Sequence, residues 1–332
     1  MAARLSLVAC CLLGLIAATI AQIGLQCPPA EASIRDTVFQ NFLKDPTSPA
    51  GLLRLHFHDC FVEGCDASVM LESTPTDGTD VERFADGNDN SVRGFEIIDE
   101  AKTRIEAVCP GAVSCADIIA VAARDSSVIL GGLFYQVPTG RYDGRVSNRT
   151  LANERLASPF ENIDQLKRKF ANVGLSTQDL VLLSGGHTIG RTKCRFFENR
   201  LYNFTGGLPD PRLNAEYAAA LRRICTPQGA DPSPTVALDR NSEFSFDNAY
   251  FRNLVANNGV LNSDHVLVES SETSGLVRFL AQDPNLFKVL FAESMINMGN
   301  AAWKTRANGE IRRKCSAVNT RLTTEVGHIA AV

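Results

Sequence analysis

Cysteine is the residue that most restricts what this chain can become. There are ten in 332 residues, and the first two, Cys10 and Cys11, fall in a segment that reads as removable. MAARLSLVACCLLGLIAATIA (1–21) has Arg4 at its head, an apolar run and small residues at its end. This is the pattern of a signal peptide cut after Ala21, with Thr19 and Ala21 at the −3 and −1 sites. A membrane anchor is the alternative, but seventeen mostly apolar residues are short for a span and no basic flank follows. Cleavage leaves Cys27, Cys60, Cys65, Cys109, Cys115, Cys194, Cys225 and Cys315, an even set that predicts disulfides in an exported chain. Eight cysteines allow roughly a hundred pairings, of which only the neighbours Cys60 and Cys65 can be matched locally. No CxxC pair exists, which disfavours a thiolate metal site. Asn148-Arg-Thr150 and Asn203-Phe-Thr205 are acceptor sequons for glycans.

With 45% hydrophobic and 21% charged residues the chain is globular in composition. A net charge of −4 gives no reason to expect nucleic acid or an anionic membrane as a partner. Helical periodicity dominates. EASIRDTVFQNFL spaces Ile34, Val38 and Phe42 four apart, and Pro46 stops it. Ser48-Pro49 reads as cap and first-turn proline of the helix AGLLRLHFHDC. GFEIIDEAKTRIEAVCPG lines Ile98, Ala101, Ile105 and Val108 along one face. SCADIIAVAARDSSVIL, capped by Ser114, is apolar nearly all round and predicts a central buried helix. Further helices are expected at 161–173, 177–184, 214–224, 246–257, 273–281 and 284–299. FYQVPTGR (134–141) is the clearest strand signal, and 205–212 and 226–234 read as loops. The expectation is one mainly α domain over 22–332, two helical lobes without a clean boundary, with minor short β and a tail (316–332) that is flexible or processed.

Chemistry concentrates in RLHFHDCFVEGCDAS (54–68). On a helix Arg54 and His58 share a face, with Phe57 beside them: a neutral base, a fixed cation and an aromatic wall. His56 lies about 200° around from His58 and reads as a core histidine. Asp59, Asp66 and Ser68, with the carbonyls of the turn between them, offer hard oxygens of the kind calcium takes, though not at EF-hand spacing. From these residues alone a polar loop is an equal reading. In LVLLSGGHTIG (180–190), His187 ends an apolar helix among glycines that let something bulky approach the backbone. A structural histidine is the commoner outcome there. No GxSxG elbow is present.

Taken together, these residues resemble the secretory plant haem peroxidases (class III). RLHFHDCFVEGCDAS looks like their distal motif and LVLLSGGHTIG like their proximal one, and SFDNAYFRNL, GVLNSDHVL and NGEIRRKC match in order. The likeness runs from about Cys27 to Asn319. It implies the two-lobed helical haem peroxidase fold, with haem b between a distal and a proximal lobe. The implied enzyme is a peroxidase that reduces hydrogen peroxide to water and oxidises small phenolic donors in two one-electron steps. His187 would be the axial iron ligand, His58 the distal base, and Arg54 and Phe57 would line the peroxide pocket. Asn88, in ERFADGNDNS, would accept the other ring N–H of His58, with Glu82 supporting this network. Asp264 would accept the N–H of His187, giving the ligand imidazolate character.

The resemblance also implies two calcium ions. The distal one would use Asp59, Val62, Gly64, Asp66 and Ser68, with Glu82 behind them. The proximal one would use Thr188, Asp239, Ser242, Ser245 and Asp247. Implied disulfides are Cys27–Cys109, Cys60–Cys65, Cys115–Cys315 and Cys194–Cys225. Donors would approach near Pro138 and Phe196. A secreted monomer of the extracellular space or cell wall is expected, with no membrane partner once the leader is gone. The apolar end of the tail leaves a vacuolar address open. The chain departs from the family pattern at Ser242 (threonine is usual), Tyr135, Tyr142, Asp86 and Arg306, none of which removes a catalytic group. Alternatives from other classes are a catalytically silent calcium-dependent wall-binding protein and a secreted hydrolase using His187 or His58 as base.

Overall fold

A helix apolar on nearly every face forms the hub of the molecule. Cys115–Ile129 is a helix with nearly every side chain buried, begun by the Ser114 hydroxyl accepting from the Asp117 N–H. A computed structural model describes residues 26–73, 80–227, 234–240 and 242–320. The leader 1–21 and the tail beyond 320 lie outside the described residues.

In chain order the helices are α1 (Ala30–Lys44), α2 (Ser48–Cys60), α3 (Phe95–Val108), α4 (Cys115–Ile129), α5 (Arg149–Arg155), α6 (Ile163–Asn172) and α7 (Thr177–Ser184). They continue with α8 (Glu198–Tyr202), α9 (Ala215–Arg222), α10 (Ala249–Val255), α11 (Asn262–Glu269), α12 (Ser274–Leu280) and α13 (Pro284–Gly299). Among the described residues the only sheet is a ribbon of β1 (Arg191–Lys193) and β2 (Thr235–Ala237), antiparallel with Thr192 opposite Val236. The fold is mainly α, as expected.

Helix α2 makes its broadest contact with α4, and α1 and α3 cover other faces of the same hub. Helix α13 packs against α7 and also reaches α2, so it joins the two halves. One apolar core accordingly runs without a break from Cys27 through Ile119 to Phe291 and Cys315. A second, smaller core gathers Phe197, Leu201, Tyr217, Leu221 and Val236 beneath the ribbon. The four disulfides are Cys27–Cys109, Cys60–Cys65, Cys115–Cys315 and Cys194–Cys225.

Two local expectations need correction. FYQVPTGR forms no strand: nothing pairs along 134–141, and only isolated bridges follow, at Tyr142–Lys304 and Asp143–Glu310. The backbone donors there are used otherwise, as where Asp117 accepts from the Gly140 and Arg141 N–H groups. Ser48 is the first residue of α2 rather than its cap. Thr47 precedes it, with its own N–H and hydroxyl turned to Asp45. Pro49 does sit in the first turn, where a missing N–H costs nothing.

Because Ile119 lies fully buried in the α4 hub, Ile119→Ala removes methylene groups that the surroundings cannot replace. The expected loss is about 2–5 kcal/mol of folding stability, read from chemical denaturation midpoints.

Candidate active site

Helix α2 divides its side chains among three environments. His58 is buried, and its Nδ1 lies 2.5 Å from the Asn88 side-chain oxygen. A proton on Nδ1 satisfies that carbonyl oxygen and leaves Nε2 free to act as a base. Asn88 is held in turn by donating from Nδ2 to the backbone carbonyl of Glu82, 2.7 Å away. Glu82 therefore supports the network through its main chain, not its carboxylate. Burial, reinforced by the Arg54 charge, holds the His58 pKa well below the ordinary value of 6.5, and the Asn88 bond offsets this only in part. The environment therefore favours the neutral imidazole.

Arg54, one turn earlier, is tied by its guanidinium to the Ser91 hydroxyl at 2.8 Å and the Gly87 carbonyl at 2.9 Å. Burial and the nearby Arg93 cation pull its pKa down to about 10, which still leaves it charged at neutral pH. Phe57 packs edge-on to His58 with ring centres 5.5 Å apart, backed by Phe61 at 4.1 Å. Ser91 and Gly87 were not singled out from the sequence. Both lie inside ERFADGNDNS (82–91), which was the only available signal.

His187 stands on the tight turn Gly185–Thr188 that follows α7. Its Nδ1 lies 2.9 Å from Asp264 Oδ1, and the ring is 37% exposed while the carboxylate is 3% exposed. The imidazole thus presents Nε2 outward with a buried acceptor behind it, which is the arrangement of a metal-ligating histidine. Gly185 is required by packing: a Cβ there would come within 2.5 Å of the Phe287 ring and 2.9 Å of Phe251. A Cβ on Gly186 would sit 3.5 Å from Leu53, the residue before Arg54, so α2 and the His187 turn are direct neighbours. Two uncommitted imidazole nitrogens, one backed by an amide and one by a carboxylate, suit an iron porphyrin. Tyr250 was missed by the sequence reading although SFDNAYFRNL contains it; its hydroxyl donates to Asp264 Oδ1 at 3.0 Å.

The turn after α2 gathers acids. Asp59, Asp66, Ser68 and Glu82 are all completely buried. Asp59 accepts from the Ala67 N–H and Asp66 from the Ser68 N–H, each through one oxygen. Among the described residues, Asp59 Oδ1, Asp66 Oδ2, the Ser68 hydroxyl and both Glu82 carboxylate oxygens find no hydrogen-bond partner. Burial pushes the carboxyls of Asp59, Asp66 and Glu82 upward, and Asp66 adds repulsion at both Asp59 and Glu82. Five buried oxygens without a hydrogen-bond partner form the hard, anionic donor set that suits a cation, since buried polar atoms left bare are costly. Gly64, at φ 97°, turns the chain beneath Ala302, where any Cβ would collide with the Ala302 carbonyl. The Val62 carbonyl already accepts from Arg155 at 2.5 Å and keeps one lone pair. Lys304 reaches to 3.5 Å from Asp66 and 3.3 Å from Glu63.

The second acidic group is better satisfied internally. Thr188 donates to one Asp239 oxygen at 3.2 Å and Asn253 to the other at 2.7 Å. Asp247 accepts from the Ala249 N–H and lies 3.5 Å from the Ser242 hydroxyl. Asp239, Ser242, Ser245 and Asp247 border one open cavity of about 840 Å³. Pro138 and Phe196 are both half-buried. The Pro138 carbonyl accepts from Arg141, and the Phe196 ring lies 4.8 Å from the Arg195 guanidinium carbon. Asp86 is 83% exposed, with Arg149 at 3.7 Å. His56 is buried beside Cys60 Sγ, at 3.6 Å. His56, Cys60 and Cys65 converge like metal ligands, but both sulfurs belong to one disulfide and cannot bind as thiolates.

A family model described as "Peroxidase" matches residues 34–283. Among curated proteins, the chain is 50% identical over 295 residues to Peroxidase 62 of Arabidopsis thaliana, covering 88% of this chain and 90% of that one. It is 50% identical over 299 residues to Peroxidase N1 of Nicotiana tabacum, covering 88% of each. Identity to Peroxidase 71 of Arabidopsis thaliana is 48% over 293 residues, covering 88% and 87%.

Burial lowers the His56 pKa to about 3, with Arg141 adding repulsion. Below pH 6.5 the unfolded chain binds a proton that the folded one refuses, so His56 makes stability fall with acidification between pH 6.5 and about 3. In His56→Gln the slope of unfolding free energy against pH across that window is expected to be smaller by about 1.4 kcal/mol per unit. Denaturation at a series of pH values checks this.

Proposed function

Because the chain belongs to the plant haem peroxidase family, class III, we propose that His58 is its distal base, Arg54 its charge stabiliser and His187 its iron ligand. The protein is a haem peroxidase acting on hydrogen peroxide. The single observation that carries the assignment of roles is the pair of imidazoles with opposite second partners. His58 Nδ1 meets an amide oxygen, and His187 Nδ1 meets a carboxylate. An amide leaves its histidine a weak neutral base, whereas a carboxylate draws the proton toward itself and makes its histidine an electron-rich ligand.

Haem held by His187 supplies the redox chemistry that no side chain here possesses. The rest is done by the chain. His58 Nε2 takes a proton from peroxide and returns it to the departing oxygen, so that water leaves instead of hydroxide. The low pKa of His58 keeps this base available below pH 6.5. Arg54, fixed by Ser91 and Gly87, offers a stationary positive charge to the oxygen that becomes negative. Asn88 keeps the His58 ring from rotating, and Phe57 walls the pocket. Asp264 fixes the tautomer of His187.

The reductants in this reading are small phenols oxidised one electron at a time, entering near the half-buried Pro138 and Phe196. Asp86 at the surface disfavours anionic donors. Haem b is the cofactor, and two calcium ions accompany it. The unsatisfied oxygens of Asp59, Asp66, Ser68 and Glu82, with the Val62 and Gly64 carbonyls, support the distal ion most directly. Thr188, Asp239, Ser242, Ser245 and Asp247 would hold the proximal one, more weakly, since Asp239 and one oxygen of Asp247 already accept hydrogen bonds within the protein. The domain spans 22–332 and works as a monomer. Four disulfides support export to the extracellular space or wall. No helix among the described residues is long and apolar enough to cross a membrane.

In stopped-flow measurements His58→Leu is expected to slow the reaction with peroxide at least ~100-fold, with the haem absorption band retained. An unchanged rate removes His58 from its role. Chelation that strips the distal ion should lower the thermal midpoint and activity together, and added calcium should restore both. Indifference, with metal loss confirmed by elemental analysis, refutes the cation site.

A further inference from the structure

Two elements converge on one carboxylate oxygen carried by a third. From the turn after α7, His187 Nδ1 approaches Asp264 Oδ1 at 2.9 Å, and from α10 the Tyr250 hydroxyl donates to the same atom at 3.0 Å. Tyr250 is buried to 2% exposure, and its ring stands edge-on to the His187 imidazole with centres 6.2 Å apart. The Ser184 hydroxyl, at the end of α7, bonds to the phenol in turn. An ionised carboxylate only accepts, so the proton on the Tyr250 oxygen points at Asp264.

Building on the role proposed for His187, we infer that Tyr250 is a positioning residue that limits how strongly Asp264 draws on the proximal histidine. An oxygen that accepts one hydrogen bond concentrates its charge on that donor; given a second donor, it shares the charge between them. The His187 N–H is then pulled less, the imidazole keeps more neutral character, and it donates less electron density through Nε2. An electron-rich ligand stabilises the oxidised metal and lowers its potential. Tyr250 therefore holds the iron potential above the value that an unshared carboxylate would set, which preserves oxidising power toward donors. Ser184 strengthens the effect, because a phenol that accepts a hydrogen bond becomes a better donor. A tyrosine is suited to this task. Its hydroxyl is pinned by ring packing and cannot swing away as a serine or water would.

The test uses the haem-loaded protein. In Tyr250→Phe, which keeps the ring, the ferric–ferrous midpoint potential is expected to shift to more negative values. The iron–histidine stretching frequency of the ferrous form should rise. Ser184→Ala leaves the tyrosine in place and should shift both in the same direction by less, so the proposal stays testable if Tyr250→Phe folds poorly. Tyr202→Phe is the control. Its hydroxyl donates to the Cys225 carbonyl at 2.6 Å, so its loss lowers stability without moving the potential. If Tyr250→Phe and Ser184→Ala behave like Tyr202→Phe, losing stability with unchanged potential and frequency, Tyr250 is structural only and the inference is overturned. If His187→Ala retains the iron–histidine band, the ligand assignment itself fails, whatever Tyr250 does.

Discussion

One helix must satisfy three incompatible environments, and the rest of the distal half is arranged around that demand. On α2, Leu52 and Leu55 face the hub, Arg54 and His58 face the reaction space, and Asp59 faces the acidic turn. With 3.6 residues per turn, rotation by a single residue would carry each side chain about 100° into the wrong setting. The register is fixed at both ends and along the length. Pro49 begins the helix, the Cys60–Cys65 disulfide closes it, and the Arg54 hydrogen bonds to Ser91 and Gly87 lock it from the side.

The same principle separates the two acidic groups. Around Asp239 and Asp247, neighbouring hydroxyl, amide and backbone donors occupy both oxygens of Asp239 and one of Asp247. Around Asp59 and Asp66 they leave one oxygen of each bare, and Glu82 adds a third buried carboxylate to the deficit. Buried charge of one sign needs an opposite charge, and Lys304 with its 3.5 Å approach to Asp66 supplies only part of it. Three histidines of the chain meet the complementary problem by staying neutral: burial lowers the pKa of His56, His58 and His265 alike.

The sequence announced what is periodic or chemically dense. The α4 hub was legible because its apolar residues occupy every face, and α13 because its sixteen residues run between Pro284 and Gly299. Helices α5, α8 and α11 were missed. Their sequences, RTLANER, ENRLY and NSDHVLVE, carry too few apolar residues at helical spacing to mark a buried face, unlike the equally short α7 and α12. The β1–β2 ribbon joins segments more than forty residues apart, with three residues a side, which no local alternation reveals. At the site, the residues with chemical roles were named, but their partners Ser91, Gly87 and Tyr250, which the quoted motifs contain, and Lys304, which they do not, were passed over. Each becomes visible only when distant segments meet, and the false strand at 134–141 has the same origin. Its β-rich composition serves an extended segment whose donors Asp117 captures from another helix.

The closing segment of the chain has a bearing on how the molecule is made. Arg312 donates to the Ala67 carbonyl and accompanies Asp143, Ala302 covers Gly64, and Cys315 joins Cys115 across 200 positions. A nascent polypeptide emerges amino end first, so the acidic turn at 59–68 leaves the ribosome long before its covering strap exists. Until that strap is in place nothing caps the loop, and Cys115 has no partner within the preceding chain. The cover over the acidic turn is thus built from contacts of very long sequence separation, the kind whose closure slows folding.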